Sequence, residues 1–77
     1  MTDEEWRMLF ADRLSYMIKR RGCTQSEVAE EAGISEKALS NYVCGVRLPK
    51  VNILANLTAA LHCDPSDLLN FEKKLDK

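Results

Sequence analysis

Apolar residues recur at helical spacing along the chain, and no segment alternates as a strand would. The first series lies between a capping box, Thr2 with Glu5 three residues later, and Gly22. Its apolar members are Trp6, Leu9, Phe10, Leu14, Met17 and Ile18. This pattern predicts a first helix that ends near Gly22, because glycine readily ends a helix.

A second capping box, Thr24 with Glu27, opens a shorter apolar series. The residues that share its apolar arc are Val28, Ala29 and Ala32. Gly33 follows and can adopt the left-handed conformation that ends a helix, because it has no Cβ. We therefore expect a second helix of about two turns between Thr24 and Gly33.

A third helix is predicted for residues 36–43, with Ser35 as its N-cap. When this segment is wound at about 100° per residue, its two faces differ in polarity. The apolar face holds Ala38, Leu39 and Tyr42. The opposite face holds Glu36, Lys37, Ser40 and Asn41. This polar face is compact and rich in hydrogen-bonding groups.

The rest of the chain predicts a loop and two more helices. Gly45 and Pro49 mark a loop from Cys44 to Lys50 that also carries Arg47. The apolar stripe of the fourth helix is Val51, Leu54, Leu57 and Leu61, extended into the core by Ile53 and Ala60. A fifth helix starts at Asp64-Pro65-Ser66-Asp67 and includes Leu68, Leu69 and Phe71, and residues 72–77 are expected to fray. The expected fold class is all-α, in one domain over residues 1–77.

The charge of the chain is unevenly distributed. The formal net charge is only −1 over 77 residues, with 30% charged side chains. Residues 13–61 nevertheless hold seven basic side chains against four acidic ones, whereas the segments before and after them are net acidic. A basic middle segment is weak support for an anionic partner.

Other classes of protein receive little support. No apolar run approaches the ~18 residues of a membrane span, and the acidic start is unlike a signal peptide, so we expect a cytoplasmic protein without a membrane partner. Cys23, Cys44 and Cys63 are widely spaced, and His62 supplies no second half of a zinc site. We read the cysteines as small buried or half-buried thiols, and expect no metal, no cofactor and no catalytic residue.

Two short helices joined by a glycine turn form the architecture of a helix-turn-helix unit. From Arg21 to Leu69 the chain resembles the Cro/repressor (XRE, lambda-repressor-like) helix-turn-helix family. The matching elements, in order, are Thr24-Gln25, Val28-Ala29, Gly33-Ile34-Ser35, Leu39-Ser40-Asn41-Tyr42, Gly45, Pro49, Ala60-Leu61 and Asp67-Leu68-Leu69. The resemblance implies a five-helix lambda-repressor-like domain, with the motif at about 24–43 and the third helix in the major groove of DNA.

The resemblance also implies roles for individual residues. Those facing base edges would be Glu36, Lys37, Ser40 and Asn41. Those near phosphates would be Thr24, Gln25, Ser35, Tyr42, Arg47 and Lys50. Side-chain chemistry suits the first group, because lysine donates to guanine, asparagine pairs with adenine, glutamate accepts from cytosine N4 and serine suits several bases. Solvated helix surface is the alternative reading of this face.

Three positions depart from the family pattern. Val43 and Ile18 stand where an acidic residue and an arginine often pair, and an apolar contact can replace such a pair without loss of stability. Cys44 replaces a polar residue before the loop glycine. Lys50 lies at the N-cap of the fourth helix, where its charge opposes the helix dipole and therefore favours a phosphate role.

The predicted function is a sequence-specific transcriptional regulator, repressor-like, of bacterial or phage origin, that binds an inverted-repeat operator in double-stranded DNA as a homodimer. The surface from Trp6 to Phe10 and the fifth helix are candidate dimer contacts. Lys19, Arg20 and Arg21 are read as partners of the first helix's dipole rather than as a phosphate clamp. The alternative function is an antitoxin-type or adaptor module in which the same fold binds another protein.

Overall fold

The structure, a computed structural model, describes residues 2–69. Five α-helices account for most of this range, and there is no strand within it. They are α1 (Asp3–Arg21), α2 (Gln25–Ala32), α3 (Glu36–Val43), α4 (Val51–Leu61) and α5 (Pro65–Leu69). The all-α fold predicted from the apolar spacing is confirmed. The predictions for Phe71 and for residues 72–77 lie outside the described residues.

The predicted N-caps Thr2 and Thr24 form the expected hydrogen bonds. The Glu5 amide donates to Thr2 Oγ1 over 3.1 Å, and the Thr2 amide donates to Glu5 Oε1 over 2.8 Å. Thr24 and Glu27 repeat this capping box at α2. These reciprocal bonds satisfy donors that a helix start otherwise leaves without partners, so local sequence alone sets where the helices begin.

Most of the predicted apolar faces meet in one core. Its fully buried large side chains are Phe10, Leu14, Val28, Leu39, Leu57 and Leu68. Ala29 is 1% exposed, as expected for a small residue at a close helix approach. The prediction for Val51 is wrong: its side chain is 83% exposed, because it is the first residue of α4 and precedes the turn that enters the core.

Three arginines of α1 bind backbone carbonyl groups of other segments. Arg7 Nε donates to the Gly45 carbonyl over 3.2 Å. Arg13 donates twice to the Asp67 carbonyl, over 3.1 and 2.8 Å, and Arg21 Nε donates to the Ala60 carbonyl over 3.2 Å. These bonds tie α1 to the loop after α3 and to the two C-terminal helices. The number of basic residues in segment 13–61 therefore overstates the positive charge that is available to a partner.

Candidate nucleic-acid interface

The α2 N-terminus is a capped, exposed helix start. Thr24 and Gln25 are both exposed. The Thr24 amide donates to Glu27 Oε1 over 2.9 Å, and the Thr24 hydroxyl accepts from the Glu27 amide over 3.1 Å. A hydroxyl accepts and donates at once, so the Thr24 hydroxyl can still donate outward to a phosphate. The Thr24 backbone amide is already bound by the Glu27 carboxylate. The exposed side-chain amide of Gln25 is therefore the better donor to a partner at this helix start.

Gly33 makes the turn between α2 and α3. Its φ is +74°, and its amide donates to the Glu30 carbonyl over 3.2 Å. Ile34 then packs against the core with its side chain half-buried, as predicted for a plug between the helices. A left-handed residue at this position turns the chain within three residues, so α3 starts at once after α2 and packs against it.

The polar face of α3 is accessible, but unevenly so. Ser35 caps the helix, with its hydroxyl accepting from the Ala38 amide over 3.0 Å. Glu36 and Lys37 are exposed, whereas Ser40 and Asn41 are half-buried. The first turn of α3 is therefore the most exposed part of this polar face. This arrangement matches the reading end of a recognition helix, whose N-terminal residues reach base edges.

The other side of α3 belongs to the core. Leu39 is fully buried, and Tyr42 is 8% exposed. Tyr42 is therefore mainly a core residue, as predicted. Val43 packs against the same core cluster that contains the buried Ile18, as an apolar replacement for an ion pair requires.

The loop from α3 to α4 is held against α1. Gly45 has a φ of +78°, and a Cβ at this position would lie 2.6 Å from Met8 Sδ. The Gly45 carbonyl accepts from Arg7. Arg47 and Lys50, the two predicted phosphate ligands of this loop, are both exposed. The loop is thus anchored at its start and presents two cations beyond the end of α3.

Lys50 is the N-cap of α4, as predicted from its position. Its φ and ψ are −70° and 165°, and its side chain makes no capping hydrogen bond. The backbone of Lys50 thus has the conformation of an N-cap residue, but the hydrogen bond that a capping side chain would make is absent. Val51 and Asn52 follow directly, and both are exposed. The surface next to Lys50 therefore includes one apolar and one polar residue that the sequence did not indicate as surface residues. The signal available was their place in the first turn, before the apolar stripe becomes buried.

The last turn of α1 is committed elsewhere. Arg20 Nη1 donates to the Tyr16 hydroxyl over 3.4 Å, and the Arg13 guanidinium lies 5.3 Å from the centre of the Tyr16 ring. Arg21 Nη2 lies 3.3 Å from His62 Nε2. These contacts support a structural interpretation of Arg20 and Arg21.

The cysteines do not form a metal site in residues 2–69, where no group of three or more potential metal ligands occurs. Cys23 and Cys63 are half-buried as expected, but Cys44 is exposed, which corrects its predicted burial. Cys44 lies at the C-cap of α3, where the helix turns outward into the loop. Burial, followed by the charges of Asp67 and Asp64, raises the pKa of the Cys63 thiol above its ordinary value of 9.0.

No helix in the described part of the chain combines the length and apolarity of a membrane span.

Comparisons with known proteins place this geometry in a family. A family model described as a Cro/C1-type HTH DNA-binding domain matches residues 13–74. A transcriptional regulator of the HTH_3 family from Vibrio cholerae superposes with a TM-score of 0.86 at 23% identity; the match covers 96% of this chain and 42% of the Vibrio chain. The restriction-modification controller protein C.AhdI from Aeromonas hydrophila superposes with a TM-score of 0.78 at 22% identity, over 80% of this chain and 94% of the controller.

A search of curated protein sequences found no significant match. At these identities the two solved structures establish the fold, and this chain spans less than half the length of the Vibrio protein. The family model, by contrast, matches most of the chain, including both helices of the motif and the glycine turn between them. The chain therefore belongs to the Cro/C1-type helix-turn-helix DNA-binding domain family.

Proposed function

We propose that this chain is a sequence-specific regulator of transcription that reads operator DNA with α3 in the major groove. The observation that carries the proposal is the exposed first turn of α3, in a chain that also exposes the capped N-terminus of α2 and the two cations of the loop after α3. Phosphate contacts on both sides of a helix fix its register, so that its own side chains can read bases.

Each base-reading residue has a chemically distinct role. Lys37 donates to guanine O6 and N7, and Asn41 pairs with adenine N6 and N7. Glu36 accepts from cytosine N4, while its charge also disfavours close approach of phosphates at wrong sequences. Ser40, half-buried and with its Oγ 4.0 Å from Cys44 Sγ, bonds to several bases without discriminating strongly. We expect Lys37 and Asn41 to determine most of the specificity.

The phosphate contacts divide into two groups. Thr24, Gln25 and Ser35 stand at or beside helix N-termini, where the helix dipole favours an anion. Arg47 and Lys50 attract phosphates through their positive charge. The sixth proposed phosphate ligand is the Tyr42 hydroxyl. Neutralising phosphates releases counterions, so the binding constant should fall steeply with salt.

A homodimer is part of the proposal, because one helix-turn-helix reads too few base pairs to specify an operator. Two copies related by a two-fold axis read half-sites about 34–36 Å apart. The operator is therefore an inverted repeat. We place this activity in the cytoplasm of a bacterium, on chromosomal or phage DNA.

Selection of bound sequences from random duplex DNA tests the proposal. The wild-type protein should enrich an inverted repeat, and the Lys37→Ala, Asn41→Ala variant should blur it at the same salt concentration. Lys19→Ala is the matched control, since this exposed cation lies on the last turn of α1, outside the proposed interface. Absence of enrichment by folded wild-type protein would refute the regulator and favour the protein-binding alternative.

A further inference from the structure

A polar cleft of about 470 Å³ lies where the second half of α1 meets the segment that runs from the end of α4 into α5. Small-molecule sites in proteins typically have volumes of ~300–1,000 Å³, so the cleft has room for a compact ligand. Its polar walls are Arg13, Tyr16 and Arg20 of α1 and His62, Cys63 and Asp67 of the later segment. None of these residues belongs to the proposed DNA interface.

The cleft lies away from the surface proposed to bind DNA. Lys50 and His62 stand at the two ends of α4, whose 11 residues span ~16 Å. His62 and Cys63 are therefore at the end of α4 that is far from the proposed phosphate contact. A ligand in the cleft would bridge α1 to the segment after α4 without using a residue assigned to DNA.

Two arginines share the face of α1 that lines this cleft. Arg13 and Arg20 are two helical turns apart, with Tyr16 between them. The Arg13 guanidinium lies 5.3 Å from the centre of the Tyr16 ring, and Arg20 Nη1 donates to the Tyr16 hydroxyl over 3.4 Å. The same tyrosine side chain thus orients both guanidinium groups.

Both arginines keep donors for a ligand. Neither forms an ion pair within residues 2–69. Arg13 donates two of its five N–H groups to the Asp67 carbonyl, and Arg20 donates one of its five to Tyr16. The Tyr16 hydroxyl accepts that bond, so its own proton is also available. The cleft therefore offers several charged donors and one neutral donor beside each other.

The acidic groups of the cleft act on a different part of it. Asp67 Oδ2 accepts from the Asp64 amide over 2.9 Å. After burial, the charges of Asp67 and Asp64 are what raise the pKa of the Cys63 thiol. Arg13 binds the carbonyl of Asp67 rather than its carboxylate. An anionic group is therefore favoured beside the arginines and disfavoured beside Cys63.

We propose that this cleft binds a small organic anion, with its phosphate or carboxylate group held by Arg13 and Arg20 and its other atoms packed against Tyr16 and Met17. Arginine donates in pairs to the oxygens of either group. Both guanidinium groups are already oriented by Tyr16, and this lowers the entropy lost on binding. The buried Met17 supplies an apolar contact in the same cleft.

An NMR titration of the whole, ¹⁵N-labelled chain tests the proposal. Phenyl phosphate and benzoate are the probes, because each joins one of the two anionic groups to an apolar ring, and benzyl alcohol is the uncharged control. All titrations are made at constant ionic strength. We expect saturable shifts of the Arg13 and Arg20 Nε–H signals with phenyl phosphate, benzoate or both, and none with benzyl alcohol. The probe that binds more tightly identifies the anionic group of the ligand.

Matched variants test whether the cleft is the site. Arg20→Gln should weaken binding of the tighter probe by roughly tenfold or more, because hydrogen bonds to a charged group are lost. Lys19→Gln is the control and should bind as wild type does, since Lys19 is an exposed neighbouring cation outside the cleft. If Arg20→Gln fails to fold, Arg20→Lys takes its place. Lysine keeps the charge but does not donate in pairs, so binding should again be weaker.

Several results would overturn the proposal. These are the absence of saturable shifts with both anions, equal shifts with benzyl alcohol, and full affinity in the folded Arg20 variant. Equal losses in Arg20→Gln and Lys19→Gln would replace the site with diffuse attraction by the basic surface. Shifts confined to Lys37 and Arg47 would place the anions on the proposed DNA surface instead. Selection of operator sequences is a separate measurement with variants of α3, so this proposal and the proposed function fail independently.

Discussion

Replacing Lys50 with serine should stabilise the fold while weakening its binding to DNA. The backbone at Lys50, with φ −70° and ψ 165°, nearly matches that at Ser35, with φ −76° and ψ 157°. The Ser35 hydroxyl accepts from an amide three residues later over 3.0 Å, whereas Lys50 provides no such bond. A serine at position 50 can therefore cap α4 without movement of the backbone.

The expected magnitude combines two effects at the same helix start. A side-chain N-cap contributes ~0.5–2 kcal/mol, and removing a cation from the positive end of the helix dipole adds ~0.3–1 kcal/mol where solvent does not screen it fully. Because Lys50 is exposed, we take the lower part of both ranges and expect a gain of about 1 kcal/mol. For a domain of this size that gain raises Tm by roughly 4–8 °C.

Two assays on the same protein measure the opposing effects. Urea unfolding should show a higher midpoint at unchanged slope. DNA binding across a salt series should show weaker affinity and a log–log slope smaller by about 1, as expected when one phosphate contact is lost. Arg47→Ser is the matched control, since it removes a cation of the same loop away from the helix cap, and should reduce the salt slope without the gain in stability.

Either half of the reasoning can be refuted alone. A Lys50→Ser protein that is no more stable would show that the exposed amides of the first turn of α4 gain nothing from a cap. A stabilised protein with an unchanged salt slope would show that Lys50 does not neutralise a phosphate.

Four other substitutions or measurements follow from the structure. Arg13→Gln should lower the free energy of unfolding by about 1–3 kcal/mol in urea titrations, because two charged hydrogen bonds to an α5 carbonyl are lost; stability within error of wild type would contradict this role. Ala29→Leu should cost ~1–3 kcal/mol by overpacking a site that is 1% exposed, and a gain in Tm would show unfilled space there. Glu31→Ala should change stability by less than ~0.5 kcal/mol, since its 3.9 Å ion pair is exposed, and a larger loss would reveal a stronger pair. Iodoacetamide should alkylate the exposed Cys44 faster than Cys63. Because burial and then the charges of Asp67 and Asp64 raise the pKa of Cys63, the pH at which its alkylation reaches half its maximal rate should be higher in the folded protein than in urea, and equal midpoints would contradict the raised pKa.

Local sequence by itself determined the number of helices, most of their boundaries and the class of fold. Capping boxes at Thr2 and Thr24 and the left-handed Gly33 act within a few residues, so no knowledge of distant contacts is needed to place them. His62 is a cap that no sequence signal indicated: it ends α4 with a φ of +56°, where glycine would be expected. Its ring lies beside Arg21, a residue 41 positions away, and no local rule includes that contact.

The surface that faces a partner could be predicted only in part. The polar face of α3 follows from helical periodicity, because the side opposite a buried stripe is accessible. Periodicity does not show how far each side chain projects, so the difference between the exposed Lys37 and the half-buried Asn41 came from the packing around α3. Val51 was misplaced for the same reason: its spacing fits the apolar stripe, but the turn that carries it lies beyond the core.

Charge is where tertiary structure changed the interpretation most. The sequence counts Arg13 and Arg21 with the other cations of a basic middle segment. In the fold both donate to backbone carbonyls of C-terminal helices, while Lys37, Arg47 and Lys50 are exposed on α3 and its following loop. Formal charge is a property of composition, but its availability to DNA depends on which groups the fold has already bound. Sequence fixes how many cations the protein has, and the packing of α1 decides which of them can meet a phosphate.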